Sequence, residues 1–532
     1  MSQNNQNIAN SVLLQKPDHS AHNLSCETKT TTTMGRLTPV FMQEVVPGDR
    51  IEVDSQMLTK LLPLATPVMH NMNAYIHYFY VPYRILWNNW KYFVSDSPLP
   101  QTSTPPLHPK VKFTGNNPEW FNHDNATDKY LPRYFGLQND SIGYINPLPF
   151  LAYQKIYNEY YRHEKIHTDL TPDLVCPDGE ILETDPKVEK WVTLRYRTYK
   201  DDYFTSALPS PQLGDQATVS LNITDNELNV YRNRTGTTGT ATERENWVSG
   251  YTGNNTTGDI TRVLNKEADA GILNQYLYVD ASQLSGSIAI NDLIEMVRMQ
   301  EFLVRKNLSG NRYNEYILAM FGVRVPDLRI DRPDYIAGIK APIVVSEVLN
   351  TADEQGYQTG QANGYSEGGS GNYEVSEHGI ILGIYSCIPD SAYMSSVNKL
   401  FYKTQNEEYY TPVFDQMGEQ PILNKELHQM HVNPTGTFGY VPRYAEYRLP
   451  FNLVTGNFTN TLAQWSLARS YNDSINLSAR FFDIYSPSRI FGIEDPNYDN
   501  VIVQVYNRVI AYRPMSKYSM PVLTNNYSNN LV

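Results

Sequence analysis

The stretch NAYIHYFYVP, Asn73–Pro82, decides the fold, because apolar or aromatic side chains stand at both odd and even positions and Pro82 ends the run. Side chains alternate across a strand, so a run that is apolar on both sides predicts a strand covered on both faces. Upstream, PGDRIEVDSQ places a turn at Pro47, Gly48 and Asp49 ahead of Ile51 and Val53, which alternate as strand residues do. Downstream, GIILGIYSCIP (Gly379–Pro389) and VIVQVYNRVIAYR (Val501–Arg513) are further strand-like runs, the second with Val501, Val503 and Val505 on one face. Strand-like runs are thus scattered from residue 50 to residue 512, broken by helices and long loops. They lack the strand–helix alternation that builds a parallel sheet. A mainly β chain of this kind predicts a β-sandwich with large insertions between strands, and the jelly roll is the version that tolerates them.

Composition agrees. Of 532 residues, 41% are hydrophobic and 19% charged, the balance of a folded chain and not of a disordered one. Proline (33) and glycine (30) are spread throughout, which favours many turns over a helical bundle. Tyrosine is the outlier, 40 against 18 phenylalanines. Rings with an apolar body and a polar tip suit half-buried contact surfaces, and they equally suit the sheets of a β-rich fold. Lys plus Arg number 43 and Asp plus Glu 56, a net charge of −13, which excludes a protein that grips nucleic acid over its whole surface. Cys26, Cys176 and Cys387 stand far apart, with neither a disulfide framework nor zinc spacing. The polar start MSQNNQNIANSVLLQKPDHS has no signal-peptide pattern, and GIILGIYSCI covers about half a membrane span, so the expectation is a chain kept in the cytosol with no membrane insertion.

Residues 1–33, rich in Asn, Gln, Ser and Thr, read as a polar arm that is ordered only where a neighbour holds it. The remainder, 34–532, reads as a single domain. YRILWNNWKYF spaces Tyr83, Trp87, Trp90 and Phe93 for one face of a short helix or a packed loop. A helix is expected from about Asn146 to Arg162, with Asn146 as cap and Pro147 in the first turn. Residues 215–287, rich in Thr, Asn and Gly, read as a long insertion that projects as a surface protrusion, and 352–378 as a second, softer one. The clearest helix follows the first insertion: INDLIEMVRMQEFLVRK aligns Ile290, Leu293, Ile294, Val297 and Phe302 and ends on Arg305 and Lys306. A short helix, NEYILAMF, is expected before Gly322.

Searching for chemistry finds no GxGxxG, no phosphate-binding Gly-Lys-Ser/Thr loop, no HExxH and no GxSxG. His428 and His431, from HQMH, could face one side of a helix, but no third ligand is near in sequence. The acidic turn from Asp495 to Asp499 lacks the twelve-residue calcium-loop pattern. A sugar-cleaving carboxylate pair cannot be singled out among 56 acids. The reading is therefore of a protein with no catalytic residues, no metal and no cofactor.

Several blocks, in order from Pro47 to Phe451, carry a resemblance: PGD, LPLATPVMH, YFYVPYRILWNNWKYF and ALPSPQLGD (Ala207–Asp215). These are followed by IEMVRMQEFLVRKNLSGNRYNEYILAMFGVRVPDLRIDRPDYIAG with EVLNT, then EEYYTPVFDQMGEQPI and FGYVPRYAEYR. Together they resemble the major capsid protein of the microvirus family, small icosahedral single-stranded DNA bacteriophages of the gokushovirus-like kind. Ala337 stands where a Gly is often seen before Gly338, and the N-terminal segment and loops share little with relatives.

The resemblance implies an eight-stranded jelly roll, sixty copies of which close a T=1 shell around circular single-stranded DNA in the virion, assembled in the host bacterial cytoplasm. It also implies a small basic DNA-binding phage protein inside, since a shell protein at −13 cannot neutralise the genome, together with a minor or pilot protein and a host cell-surface receptor. On this reading Trp87, Trp90, Arg312, Tyr313, Arg332 and Tyr335 are candidates for subunit contact or core packing. Arg508, Tyr512, Arg513, Lys517 and Tyr518 mix cations with rings and are candidates for DNA contact. Trp247, Tyr251, Tyr276 and Tyr278, within the first insertion, are candidates for host contact. Two other classes stay open: a cell-surface glycan-binding protein of an outer-membrane uptake system, which would need an apolar leader before Cys26, and a β-sandwich hydrolase.

Overall fold

A computed structural model describes residues 19–95, 99, 104–115, 120, 128–138, 143–212, 222–223, 230–234, 243–246, 277–279, 286–287, 290–308, 332–349, 358–415, 417–471, 474–485, 488–492, 499–515 and 517. The chain forms two compact units, one of Met1–Pro211 with Asn311–Val532 and one of Gln212–Gly310.

The larger unit is built on nine strands: β1 (Ser20–Asn23), β2 (Cys26–Thr32), β3 (Thr38–Val45), β4 (Arg50–Leu61), β5 (Met72–Pro82), β6 (Asp334–Leu349), β7 (Gln358–Glu374), β8 (Gly379–Pro389) and β9 (Val501–Arg513). All pairs are antiparallel. One half of the sheet runs β2-β9-β4-β7 and the other β3-β8-β5-β6, and the two join where Val344–Leu349 pairs with Gln358–Asn363. This is the strand order of a jelly roll. Among the described residues the count is nine and not the expected eight, because β1 adds a short strand beside the C-terminal end of β9, Ser20 opposite Arg513.

The inner faces of the two halves form the main core. β4 contributes Ile51, Val53, Met57 and Leu61, β9 contributes Val501, Val503, Val505 and Val509, β5 contributes Ala74, Ile76 and Tyr78, and β8 contributes Ile381, Tyr385 and Cys387. The alternation read in β9 is borne out, for every second residue from Val501 is buried and the intervening ones are mostly exposed. Tyr hydroxyls that reach this core are satisfied across it, Tyr78 by Ser55 and Asn507 and Tyr385 by Thr59.

β5 is covered a second time, as its two-sided apolar run predicted, and β8 beside it is covered in the same way. Their outer faces carry Phe79, Val81, Ile380, Leu382 and Ile384 into a second core with Leu86, Trp87, Val111, Leu148, Leu151 and Trp191. Fully burying each such side chain contributes roughly 1.5–3 kcal/mol, which holds the helical layer to the sheet. In that layer YRILWNNWKYF forms two single turns, Tyr83–Leu86 and Trp90–Val94. The helix expected at Asn146–Arg162 is α1, Leu148–Ile156, extended by a π turn at Tyr157–Tyr161, and Asn146 Oδ1 accepts from the Leu148 N–H. A third cluster, with Tyr203, Phe204, Tyr393, Ile422, Leu427, Phe438 and Phe481, packs around the hairpin Glu419–Leu423 and Thr437–Pro442.

Two expectations change. The second half of the expected polar arm is β1 and β2, both paired with β9. Thr28, Thr30 and Thr32 lie opposite Val505, Val503 and Val501, so ladder hydrogen bonds and β-branched threonines order a segment with almost no apolar residues. Residues 1–18 lie outside the described residues. The softer insertion at 352–378 contains β7, which pairs with both β4 and β6. Its glycines permit close approach: a Cβ on Gly371 would lie 2.7 Å from Ala337 Cβ, and one on Gly360 would lie 2.8 Å from the Thr66 carbonyl oxygen. The expected helix INDLIEMVRMQEFLVRK forms α2 (Ile290–Leu308), which falls in the unit Gln212–Gly310. Its stripe of Leu293, Ile294, Val297 and Phe302 is exposed. That unit also holds short strands at Val230–Arg234, Glu243–Asn246 and Leu277–Val279. NEYILAMF lies outside the described residues.

Candidate functional site

On the outer face of β5 a cavity of about 650 Å³ opens between the sheet and the helical layer. Its walls are His77 and Phe79 from β5, Tyr160 and Tyr161 from the π turn, Arg197–Asp201, and Tyr335 from β6. The extra residue of a π turn puts Tyr160 and Tyr161, adjacent in sequence, on the same cavity. The rings brace one another: Phe79 lies 4.7 Å from Tyr160 and 5.6 Å from Tyr335, and His77 stacks on Tyr161 at 6.0 Å. Tyr335 is half exposed at the rim, with its hydroxyl where a Cβ on residue 338 would sit, so Gly338 makes room for it.

Arg197 is the site's main charge. Its Nη1 donates to Ser386 Oγ at 2.9 Å, and the guanidinium lies over the rings of Tyr75 (4.7 Å) and Tyr161 (5.6 Å). Among the described residues no carboxylate reaches it, while neighbouring Lys200 is paired with Asp390 at 2.8 Å. Burial, and secondarily the Arg197 charge, pushes the His77 imidazole down to about 4. Its Nδ1 is 2.7 Å from the Tyr161 hydroxyl. Burial, then the nearby Asp202, pushes the Asp201 carboxyl above its usual range.

The residues singled out from the sequence separate into groups. Trp87 is fully buried, its indole N–H donating to Asp178 at 2.6 Å, and Trp90 packs on Tyr83 and Trp87, so both belong to the second core. Arg332 is half buried just before β6, and Tyr335 lines the cavity. Arg508 and Tyr512 lie on the exposed face of β9, and Lys517 is exposed beyond it. Arg513 is engaged elsewhere, its Nε 3.1 Å from the buried Asp49 and its Nη2 donating to the Glu44 carbonyl. Arg312, Tyr313, Tyr518, Trp247, Tyr251 and Tyr276 lie outside the described residues, and Tyr278 is in a strand whose side chains are not described.

His77, Tyr160, Tyr161, Arg197 and Lys200 were missed, because they come from three distant stretches and only the clustering of tyrosines at 153–161 hinted at a surface. A second feature was missed as well. Phe401, Val413, Met430 and Val432 are each at least 75% exposed, and Leu400, Tyr409, Tyr410, Met417 and Tyr447 are about half exposed or more. Much of this ridge falls in EEYYTPVFDQMGEQPI. It is pinned from below: Lys403 pairs with Glu446 at 2.6 Å, and Tyr444 donates toward the Glu407 and Tyr409 carbonyls.

Groups that could suggest chemistry are occupied structurally. The ring nitrogens of His431 meet the Ile475 carbonyl and the Asn433 N–H, and the helix before this pair ends at Leu427. Asp202 accepts from Ser391 and Tyr393. Among the described residues no helix is long and apolar enough to cross a membrane.

A model of the family described as "Capsid protein (F protein)" matches residues 12–523. The chain is 29% identical to "Capsid protein VP1" of Chlamydia phage 1, over 93% of this chain and 94% of that protein. It is 29% identical to "Capsid protein VP1" of Bdellovibrio phage phiMH2K, over 94% and 95%, and 25% identical to "Capsid protein VP1" of Spiroplasma virus 4, over 92% of each. None of these matches supports the glycan-binding alternative. A jelly-roll sandwich with an exposed apolar ridge, matched over nearly its whole length by phage shell proteins, places this chain in the microvirus-type F capsid protein family, as a structural protein of the virion.

Proposed function

We propose that sixty copies of this chain close a T=1 shell around circular single-stranded DNA in the cytoplasm of the host bacterium, and that the protein has no catalytic activity. The observation that supports shell building through this particular surface is the ridge from Leu400 to Val432. Large side chains such as Phe401, Val413 and Met430 stand in solvent on a single subunit, in a segment anchored by the buried Lys403–Glu446 pair. Exposed apolar patches with aromatic anchors mark protein contacts, and a shell subunit is flanked by its own copies. A small basic phage protein neutralises the genome, because the subunit's charge of −13 has the wrong sign for that task. A minor or pilot protein completes the particle. The insertion at about 215–287 forms the surface protrusion and meets the host surface receptor through the stretch around Trp247, Tyr251, Tyr276 and Tyr278.

The test is co-expression with the phage's other structural proteins, followed by light scattering and electron microscopy. Closed particles or pentamers are expected. Phe401→Asp with Val413→Asp should leave a folded subunit by circular dichroism and remove assembly. A parent protein that stays monomeric at every concentration with its partners present overturns the reading.

A further inference from the structure

We propose that the cavity on the outer face of β5 is a binding pocket for one nucleotide of a single strand, with its base against Phe79, Tyr160 and Tyr335 and its phosphate on Arg197. The identity of the strand rests on the reading of the protein as a shell around DNA, whereas the pocket rests on four observations.

The first is the unmatched charge. A cation withdrawn from water normally acquires a carboxylate, since leaving it uncompensated is costly. Arg197 is surrounded by a serine hydroxyl and two tyrosine faces, with no carboxylate in reach among the described residues. A guanidinium presents a planar fork of donors that matches phosphate oxygens. The second is the rings. Phe79 lies 4.7 Å from Tyr160 and 5.6 Å from Tyr335, and His77, 5.9 Å from Tyr335 and kept neutral, adds a fourth ring without adding charge. Stacking platforms beside cations are how proteins hold unpaired bases.

The third is size: about 650 Å³ falls within the roughly 300–1,000 Å³ of ordinary ligand pockets. Sequence-reading proteins seat unstacked bases of single strands on rings of this kind. The fourth is charge balance. Lys200 is already paired with Asp390, and Asp201 stands on the same wall as Arg197. One free cation beside one acid suits the single negative charge of a phosphodiester better than the double charge of inorganic phosphate.

The experiment measures anisotropy of a labelled short thymidine oligomer on the purified protein, with an abasic oligomer of equal length, thymidine monophosphate and inorganic phosphate as competitors. Saturable binding is expected, with the abasic strand about tenfold weaker or worse. Tyr335→Ala removes a rim side chain outside the core and should weaken binding about tenfold with an unchanged circular dichroism spectrum. Arg197→Gln should weaken it comparably and reduce the salt dependence by about one phosphate contact. Lys112→Gln, a cation that does not line the cavity, should change nothing. Equal binding of the abasic strand or of inorganic phosphate would show an anion site only and overturn the proposal, as would no saturable binding or a Tyr335→Ala protein that binds like the parent. Particle assembly is scored separately. Oligomer binding without assembly leaves the pocket standing and removes the shell reading, and assembly without oligomer binding does the reverse.

Discussion

Arg36, almost completely buried, places Nη1 3.1 Å from Asp499, a residue 463 positions away along the chain. Its Nη2 is 3.1 Å from Asp128, and the guanidinium lies over the rings of Tyr130 and Tyr196. This one side chain ties the turn between β2 and β3 to the helical layer and to the approach to β9. Removing it leaves Asp499 buried without its cation, a loss of about 3–5 kcal/mol. Arg36→Met should lower the urea midpoint with little change in slope. Arg36→Lys should recover only part, since an ammonium cannot span both carboxylates.

Gly35, next to that clamp, has φ +82°, and an added Cβ would run into the carbonyl oxygen of Ile484. Its N–H donates to the Cys387 carbonyl and its carbonyl accepts from Arg197, so the backbone cannot shift freely. Gly35→Ala combines left-handed strain with a steric clash and should cost about 3 kcal/mol or more. Subunit yield and thermal midpoint are the measurements.

The pair Lys403 and Glu446 sits under the exposed ridge with almost no solvent on either side chain, and Gln420 also donates to Glu446. Lys403→Met strands a buried carboxylate and should destabilise by roughly 3–5 kcal/mol. Adding Glu446→Leu should recover most of that loss. A double mutant no better than the single would show that packing, not charge, holds the ridge.

Acid should weaken the subunit through two histidines. Burial is the main cause that pushes both His77 and His163 down to about 4 from an ordinary 6.5, with Arg197 and His167 respectively adding to it. Folding therefore favours their neutral forms. The associated stability is present above about 6.5 and is lost as pH falls through the window from 6.5 to about 4. The loss is at most about 3 kcal/mol per histidine. Urea midpoints at about pH 7 and about pH 5 should differ, and a conservative His163→Gln should reduce the difference by about half, His77 carrying the rest.

Trypsin on intact particles should cut first near Arg232, Arg234 or Arg244, which lie in the short strands of the unit Gln212–Gly310. Mass spectrometry of the first fragments decides. Early cuts within 290–340 with those three sites protected would place the unit's strands inside the shell.

The sequence alone determined the strands whose signal is carried by their own side chains. β5 and β8 are apolar on both faces and β9 on one, and each reads correctly because its burial is written at every position. It also carried, through ordered blocks, membership of the capsid family. Tertiary structure decided the rest. β2 is a row of threonines and β7 a row of glycines and polar residues, and neither has the apolar content to announce a strand. They are ordered by ladder hydrogen bonds to β9, β4 and β6, an energy that resides in the partner strands and not in their own composition. The cavity likewise gathers residues 77, 160, 197 and 335, and the Arg36 clamp gathers 36, 128 and 499. A charge becomes costly or useful according to what surrounds it after folding, and chain separation of that order leaves no local pattern from which those surroundings can be read.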